Sequence, residues 1–330
     1  MPNVQFYVPR DRMPPPEAAR AWKSGARVPL ESEGVAATEQ AWIYQTYVQL
    51  RKRGVACELV HEVPQAGVLV AFTNAFDGRP AALRDDVFFV CVVADSTYHP
   101  DANWYVVQNR RQVHYAPHCT FLPHWPQPAL QPRDPERGAT FQNVCYYGLP
   151  GNLAPALRSA RWRRRLHDET GLTFRVCGPE RWHDYCDTDA VVAVRSFAAE
   201  HTHLRKPATK LYNAWLAGVP ALCGPESALR AERRDEHDYL EVHGPDDVIE
   251  TLRFLKAHPA FVEKMRAQAA RRAQAHTPEA VARRWWHFLA DVAQPRQQRW
   301  QRAGRLRRAT AYAHRKLQRK GRRRLFDLLS

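Results

Sequence analysis

The stretch RKPATKLYNAWLAGVPALCGPE, residues 205–226, decides how this chain folds. Its first half reads as a helix that ends at an Ala-Gly-Val-Pro turn, and a short apolar run then leads to Gly-Pro-Glu. A helical pattern followed directly by an apolar run of strand length is typical of a helix that leads into a buried parallel strand. Pro207 suits the first turn of that helix, where its missing N–H costs nothing. The stretch therefore predicts one helix-to-strand unit of an α/β fold.

The same alternation of helix and strand patterns extends in both directions along the chain. The apolar runs are nearly continuous, as expected for parallel strands that are covered on both faces. These runs are VQFYV (4–8), VLVAF (68–72), VFFVCVVA (87–94), WYVVQN (104–109), NVCYYG (143–148), LTFRVCG (172–178) and DAVVAVR (189–195). We therefore predict an α/β protein with two Rossmann-like domains that face a cleft, followed by a basic C-terminal helical tail.

A proline-rich stretch without helical or strand periodicity separates the two halves. It predicts an N-terminal domain over residues 1–122, a linker over 123–142, a second domain over 143–292 and the tail over 293–330. A length of 330 residues suits two domains of ordinary size. Ligands of open parallel sheets lie beyond the carboxyl ends of the strands, so we expect the functional loops to follow strands.

The basic character of the chain is concentrated at its end. The net charge is +15, and 13 basic residues lie between Arg296 and Arg324 without an intervening acid. Leucines and aromatic residues are interspersed among them, and a basic amphipathic segment is typical of an anchor to an anionic membrane surface. We expect residues 296–325 to have this role. A disordered charged tail and a nucleic-acid-binding tail are the alternatives.

The remaining totals favour a cytoplasmic protein that associates peripherally with a membrane. The N-terminus has no signal-peptide pattern. The longest apolar run, residues 87–94, is too short to cross a bilayer. Seven scattered cysteines without a C-x-x-C pair indicate reduced, packed thiols.

The start of the helix in the opening stretch predicts a phosphate site. The free N–H groups at a helix start attract anions, and Lys206, Thr209 and Lys210 add positive charge and a hydroxyl there. A solvated basic helix start is the alternative interpretation. The apolar body of the helix favours the phosphate site, because it predicts that the helix packs on the sheet with its start at the ligand edge.

This helix, the Ala-Gly-Val-Pro turn, the apolar strand and Gly-Pro-Glu resemble the donor half of GT-B glycosyltransferases. The segment DTDAVVAVR, residues 187–195, resembles uncharacterised bacterial members. Many members have a glutamate five residues before the glycine of the turn, and retaining members have another eight residues earlier. Asn213 and Arg205 occupy these positions here. This departure leaves the donor and the stereochemical class open.

The resemblance implies a nucleotide-sugar as substrate, no cofactor and no metal. GLPGN, residues 148–152, matches the glycine-rich loop that approaches the donor in this family. A plain turn is the alternative for this loop. The donor-binding residues that the resemblance implies are Gly148, Gly151, Asn152, Arg205, Lys206, Thr209, Lys210, Asn213 and Glu226.

An inverting transferase needs a carboxylate or histidine to take the proton of the acceptor hydroxyl. Asp95 and His99, which follow a predicted strand, are the leading pair, with a strand-end cap as the alternative for Asp95. For His124, a role in packing is as well supported as a role as the base. Asp187 and Asp189 have the Asp-x-Asp spacing of a metal site, but they precede a strand of the second half, and we predict no metal there.

We therefore predict a metal-independent glycosyltransferase that transfers a hexosyl or other glycosyl group. It would move the sugar from a nucleotide-sugar to a glycan or lipid-linked acceptor in surface polysaccharide synthesis. A basic nucleic-acid-binding protein and a nucleotide-sugar-binding protein without catalysis are the alternatives.

Overall fold

The computed structural model describes residues 4–26, 35–76, 86–114, 118–198 and 203–304, together with residues 308, 310 and 313. The chain divides into two compact units. Unit 1 contains Met1–Trp125, Leu204–Pro207 and Pro278–Ser330, and unit 2 contains Pro126–His203 and Ala208–Thr277. The chain therefore enters unit 1 three times.

Unit 1 is built on a six-stranded parallel sheet. Its strands are β1 (Val4–Tyr7), β2 (Glu58–Val60), β3 (Gly67–Phe72), β4 (Val87–Val92), β5 (Trp104–Val107) and β6 (Cys119–Phe121). They are arranged in the order β2-β1-β3-β4-β5-β6. Every residue of β3, β4 and β5 is buried, which explains why these segments are continuous apolar runs.

Helix α1 (Pro16–Ser24) follows the first strand of unit 1. A longer helical segment consists of α2 (Val35–Glu39), a π-helical stretch (Gln40–Tyr44) and α3 (Gln45–Lys52). This segment extends from residue 35 to residue 52, and its hydrogen-bonding pattern changes in the middle.

Unit 2 is built on a five-stranded parallel sheet. Its strands are β7 (Asn143–Tyr147), β8 (Thr173–Cys177), β9 (Ala190–Ala193), β10 (Ala221–Cys223) and β11 (Leu240–Glu241), in the order β11-β10-β9-β7-β8. Its helices are α4 (Pro155–Arg158), α5 (Ala160–Thr170), α6 (Thr209–Ala217), α7 (Ser227–Arg230), α8 (Pro245–Ala257) and α9 (Pro259–Ala273). The predicted α/β class with two parallel sheets is confirmed. The strand order reverses between β7 and β9, which is where ligands of such sheets bind.

The last helices of the described chain return to unit 1. They are α10 (Pro278–His287), a π-helical stretch (Phe288–Ala293) and α11 (Gln294–Arg302). Trp285 is 1% exposed, and its ring centroid lies 6.4 Å from that of Phe6 on β1. Residues 278–292, which the sequence patterns assign to the second domain, therefore complete the core of the first. The helical period shows that one face is apolar, but it does not show which sheet that face covers.

The proline-rich stretch after Trp125 is an integral part of unit 2 rather than a free connection. The backbone N–H of Gln131 donates to His183 at 2.7 Å, and that of Arg133 donates to Ala217 at 3.0 Å. The predicted linker over residues 123–142 thus divides after Trp125, because backbone hydrogen bonds attach its larger part to unit 2.

Asp189 holds this stretch in place. Its side chain is fully buried, and each of its two carboxylate oxygens accepts three hydrogen bonds. The donors are the guanidinium groups of Arg133 and Arg137 and the backbone N–H groups of Gln142 and Asn143. All of its acceptor capacity is used within the protein, which gives Asp189 a structural role.

The predicted tail over residues 293–330 is only partly described. It begins inside the helical segment that reaches Arg302, and most of the residues beyond Gly304 lie outside the described part of the chain. No helix among the described residues is long and apolar enough to cross a membrane.

Candidate functional site

The loop that follows β7 approaches the start of α6 in unit 2. A Cβ atom on Gly148 would lie 3.0 Å from the Cε1 and Oη atoms of Tyr146 and 3.1 Å from Cε of Lys210. Only glycine lets the backbone pass this closely to both side chains. The geometry thus brings together two of the predicted donor-binding residues, Gly148 and Lys210, at the edge of the sheet where its strand order reverses.

Arg158 fixes the outer part of this loop. Its Nε donates to the backbone oxygen of Leu153 at 2.6 Å, and its Nη2 donates to that of Gly151 at 2.7 Å. Gly151 and Asn152 are exposed, and Leu149 is the most exposed large apolar side chain among the described residues, at 48%. The loop therefore presents backbone and the apolar side chains of Leu149 and Pro150 to whatever binds there.

The start of α6 carries the other predicted phosphate contacts of unit 2. No side chain caps the helix at Ala208. The hydroxyl of Thr209 is buried and makes no hydrogen bond within the described part of the chain. Nζ of Lys210 lies 5.2 Å from the ring centroid of Tyr146. An uncapped helix start beside a lysine is suited to binding an anion.

A buried ion pair completes the site. Nη1 of Arg195, two residues beyond the end of β9, donates to Oε2 of Glu226, which is 1% exposed. The other oxygen, Oε1, is buried and finds no hydrogen-bond partner among the described residues. A buried carboxylate oxygen without a donor is costly, because it has lost water without a replacement, so a ligand hydroxyl is a natural partner.

Tyr146 connects these groups electrostatically. Burial raises the pKa of its hydroxyl to about 12, while the charge of Arg195 lowers that pKa and the charge of Glu226 raises it. Its side chain is fully buried, and its hydroxyl makes no hydrogen bond in the described part of the chain. Sequence patterns identified neither Tyr146 nor Arg195. The position of Arg195 in the loop that follows a strand is the signal that could have found it.

Asn213 is committed to a structural contact. It is 5% exposed, and its Oδ1 accepts a hydrogen bond of 3.1 Å from the backbone N–H of Gln127. This bond attaches the start of the proline-rich stretch to α6. The predicted role of Asn213 in binding the donor remains a prediction.

Two of the predicted donor-binding residues, Arg205 and Lys206, belong to unit 1. Nζ of Lys206 lies 2.8 Å from Oδ2 of Asp95, which is the first predicted catalytic residue. Arg205 lies near Tyr98, where burial raises the pKa of the hydroxyl and the charge of Arg205 lowers it. Both residues therefore lie next to the loop that follows β4.

The second predicted catalytic residue, His99, lies inside the core of unit 1. It is 5% exposed, and its ring centroid lies 5.5 Å from that of Phe76 and 5.2 Å from that of Phe89. Its Nδ1 accepts a hydrogen bond of 3.2 Å from the backbone N–H of Asp101. These contacts give His99 a packing role, whereas the side chain of Asp95 is 45% exposed and accessible.

Comparisons with known proteins agree with this architecture. Residues 158–287 match the family model described as glycosyl transferase-like. The chain resembles HepE from Anabaena, solved in complex with UDP and glucose, with a TM-score of 0.51, 11% identity and coverage of 88% of this chain and 100% of that one. It also resembles AviGT4, a glycosyltransferase involved in avilamycin A biosynthesis, with a TM-score of 0.52, 14% identity and coverage of 89% and 99%.

The pneumococcal O-GlcNAc transferase GtfA is a more distant likeness. Its TM-score is 0.47 at 12% identity, and the match covers 75% of this chain and 60% of that longer one. A search of curated proteins found no match. The HepE and AviGT4 structures, together with the family match, confirm the GT-B fold that the sequence resembles.

Proposed function

We infer that this chain, a GT-B fold protein whose residues 158–287 match a glycosyl transferase-like family, is a glycosyltransferase that uses a nucleotide-sugar donor. The observation that carries this inference is the cluster in unit 2 of Gly148, Lys210 and the Arg195–Glu226 ion pair. It combines a glycine that lets the backbone approach a ligand, positive charge at a helix start and a buried acceptor oxygen.

Each part of the cluster suits a different part of the donor. The uncapped start of α6 and Lys210 would offset the negative charge of the leaving diphosphate, as fixed dipoles and cations do in low-dielectric sites. Oε1 of Glu226 would accept a hydrogen bond from a sugar or ribose hydroxyl. Because protein cations supply the positive charge, the proposed transfer is metal-independent.

Binding of the donor nucleotide is the first test. A nucleotide present at about 100 times its dissociation constant should stabilise the protein by about 2.7 kcal/mol. We expect one of UDP, GDP, dTDP, ADP and CMP, or a sugar derivative of one of them, to raise the melting temperature. Lys210→Ala should lower the affinity for that ligand by about ten- to a hundred-fold, because one charge-assisted hydrogen bond is lost.

Lys264→Ala is the matched control for this test, since Lys264 is an exposed lysine of α9 in the same unit. Its removal should leave the affinity unchanged. Equal losses in the two variants would mean that the effect is one of net charge. A protein that no nucleotide stabilises would contradict the proposed donor site.

We further propose that the acceptor is a glycan or lipid-linked molecule of surface polysaccharide synthesis, and that the protein binds an anionic membrane surface through residues 296–325. Removal of residues 314–330 deletes seven basic residues but keeps Arg308, whose Nη1 lies 3.2 Å from Oδ1 of Asp86. Each basic residue near such a surface contributes about 1 kcal/mol.

We expect the full chain to sediment with phosphatidylserine vesicles at low salt and the shortened chain to sediment much less. Neutral phosphatidylcholine vesicles provide the control. Strong binding to both vesicle types would contradict the electrostatic mechanism. Tight binding of DNA or RNA by the full chain, without vesicle binding, would favour the nucleic-acid alternative instead.

A nucleotide-sugar-binding protein without catalysis is the second candidate. The observation that favours it is the hydrogen bond between Asn213 and Gln127, at a position where many GT-B enzymes have a glutamate. Turnover separates the two candidates, since both predict nucleotide binding. Release of a nucleoside diphosphate from the donor that binds would support the transferase.

A further inference from the structure

His124 has its ring orientation and its protonated nitrogen fixed by the protein. Its Nδ1 lies 2.5 Å from the backbone oxygen of Trp125. A carbonyl oxygen only accepts hydrogen bonds, so Nδ1 carries the proton and Nε2 has a free lone pair. The side chain is half-buried, and Nε2 has no hydrogen-bond partner in the described part of the chain. This arrangement leaves an oriented proton acceptor open to a ligand.

A closed set of contacts holds this ring. The indole Nε1 of Trp125, which is 1% exposed, donates to the hydroxyl of Thr46 at 2.8 Å. That hydroxyl donates in turn to the backbone oxygen of Trp42 at 2.6 Å. The indole of Trp42 packs edge-to-face on the ring of His124, with centroids 4.0 Å apart. Each member of the set is therefore positioned by the next. Groups that surround a functional side chain often hold it in place in this way.

The supporting helix is itself unusual at this point. Trp42 lies on the π-helical stretch Gln40–Tyr44, within an otherwise α-helical segment. Such stretches are rare and occur frequently at functional sites, because the extra residue per turn reorients side chains at the expense of regular hydrogen bonding. Here the irregular turn carries the indole that packs on His124.

The surroundings of His124 also suit proton transfer. It follows β6, and Asp95 follows β4, so both lie at the carboxyl edge of the unit 1 sheet, where ligands bind. Burial lowers the pKa of His124 to about 4, although the hydrogen bond to Trp125 and the charge of Asp95 act to raise it. The imidazole is therefore neutral at pH 7. A nearby carboxylate would stabilise the imidazolium ion that forms when it accepts a proton.

We propose that His124 is the general base of the transfer reaction. Nε2 takes the proton of the acceptor hydroxyl while the hydroxyl oxygen forms its bond to C1 of the sugar. The bond between C1 and the phosphate oxygen breaks at the same time, and the nucleoside diphosphate leaves with the electron pair. The imidazolium then releases its proton to solvent. This displacement inverts the configuration at C1. The inference rests on the proposed function.

Two substitutions separate catalysis by His124 from a structural role. In His124→Asn, the side-chain amide can still donate to the backbone oxygen of Trp125, as Nδ1 does, but no group replaces Nε2. Asp95→Asn tests the carboxylate that the sequence patterns predict as the base. The readout is release of nucleoside diphosphate from the donor that stabilises the wild-type protein, with water as acceptor. The melting temperature and the affinity for the free nucleotide are measured alongside.

We expect His124→Asn to lower the rate by about 10²- to 10⁴-fold with unchanged nucleotide affinity. The melting temperature should fall only slightly, because the edge-to-face contact with Trp42 is lost while the hydrogen bond to Trp125 is kept. We also expect imidazole ¹⁵N spectra of the wild-type protein to show His124 protonated at Nδ1 at pH 7, with its signal assigned by loss in the variant. Sugar transfer to water should initially yield the inverted anomer.

Three results would overturn the proposal. The first is a rate in His124→Asn within about threefold of the wild-type rate. The second is loss of activity in Asp95→Asn but not in His124→Asn. The third is an imidazole spectrum that shows the proton of His124 on Nε2. Each leaves nucleotide binding and turnover by the wild-type protein intact, and so leaves the proposed function standing. A wild-type protein that binds nucleotides but never releases a nucleoside diphosphate would contradict the transferase and this inference together.

Discussion

Asp189→Asn is expected to destabilise unit 2 by about 3–5 kcal/mol, the usual cost of removing one partner from a buried ion pair. The substitution keeps the shape of the side chain but removes the charge that balances Arg133 and Arg137. It also turns one of the two acceptor oxygens into a donor that faces N–H groups. The proline-rich stretch after Trp125 would then lose the ion pairs that attach it to the residue before β9.

Asp187→Asn is the matched control, because Asp187 is 38% exposed and pairs with Arg175 and Arg181 near the surface. A solvent-exposed pair contributes about 0–1 kcal/mol, so its loss should be small. Native-state hydrogen exchange of peptides from β7 and β9 would measure the stability of unit 2 separately in both variants. Similar effects in the two variants would show that the six hydrogen bonds to Asp189 do not act as a buried unit.

The same carboxylate predicts part of the acid sensitivity of unit 2. Burial acts to raise the pKa of Asp189, but the hydrogen bonds from Arg137 and from the backbone outweigh burial and lower it. A carboxylate with a lowered pKa stabilises the folded state above the pKa of the unfolded chain, about 4. That stability is lost as the pH falls through the lowered value. We expect Asp189→Asn to show a shallower loss of stability below pH 4.

Gly148→Ala is expected to reduce the nucleotide-induced stabilisation. The new Cβ would lie 3.0 Å from Tyr146, whose side chain is fully buried and cannot move away, and 3.1 Å from Cε of Lys210. Either the loop or Lys210 must shift, and overpacking of this kind costs about 1–3 kcal/mol. An equal loss of binding free energy corresponds to about five- to 150-fold weaker nucleotide binding.

Gly151→Ala in the same loop is the control, since a Cβ on Gly151 would meet no heavy atom within 4 Å. Calorimetric titration of both variants with the stabilising nucleotide measures the difference. Equal affinities would mean that the close approach of Gly148 to Lys210 does not shape the ligand site. Weaker binding by Gly151→Ala alone would place the contact on the exposed part of the loop.

Local sequence patterns are sufficient to predict the fold class. Strands buried on both faces must be apolar at nearly every position, as β4 and β5 are, and this pattern is local. The glycine-rich loop and the lysine at the start of α6 could also be read locally, because both follow from what a helix start and a close backbone approach require. Parallel strands with helical connections then bring such loops to one edge of each sheet.

Which distant groups share an environment depends on the tertiary structure. Asp187 and Asp189 look equivalent in sequence, yet one lies near the surface and the other accepts six hydrogen bonds inside unit 2. The helix that contains Trp285 follows unit 2 in sequence and packs in unit 1, because an apolar face does not specify the sheet that it covers. The Asp95–Lys206 pair joins residues 111 positions apart. Such contacts depend on how the chain returns on itself, and local sequence patterns carry no information about that return.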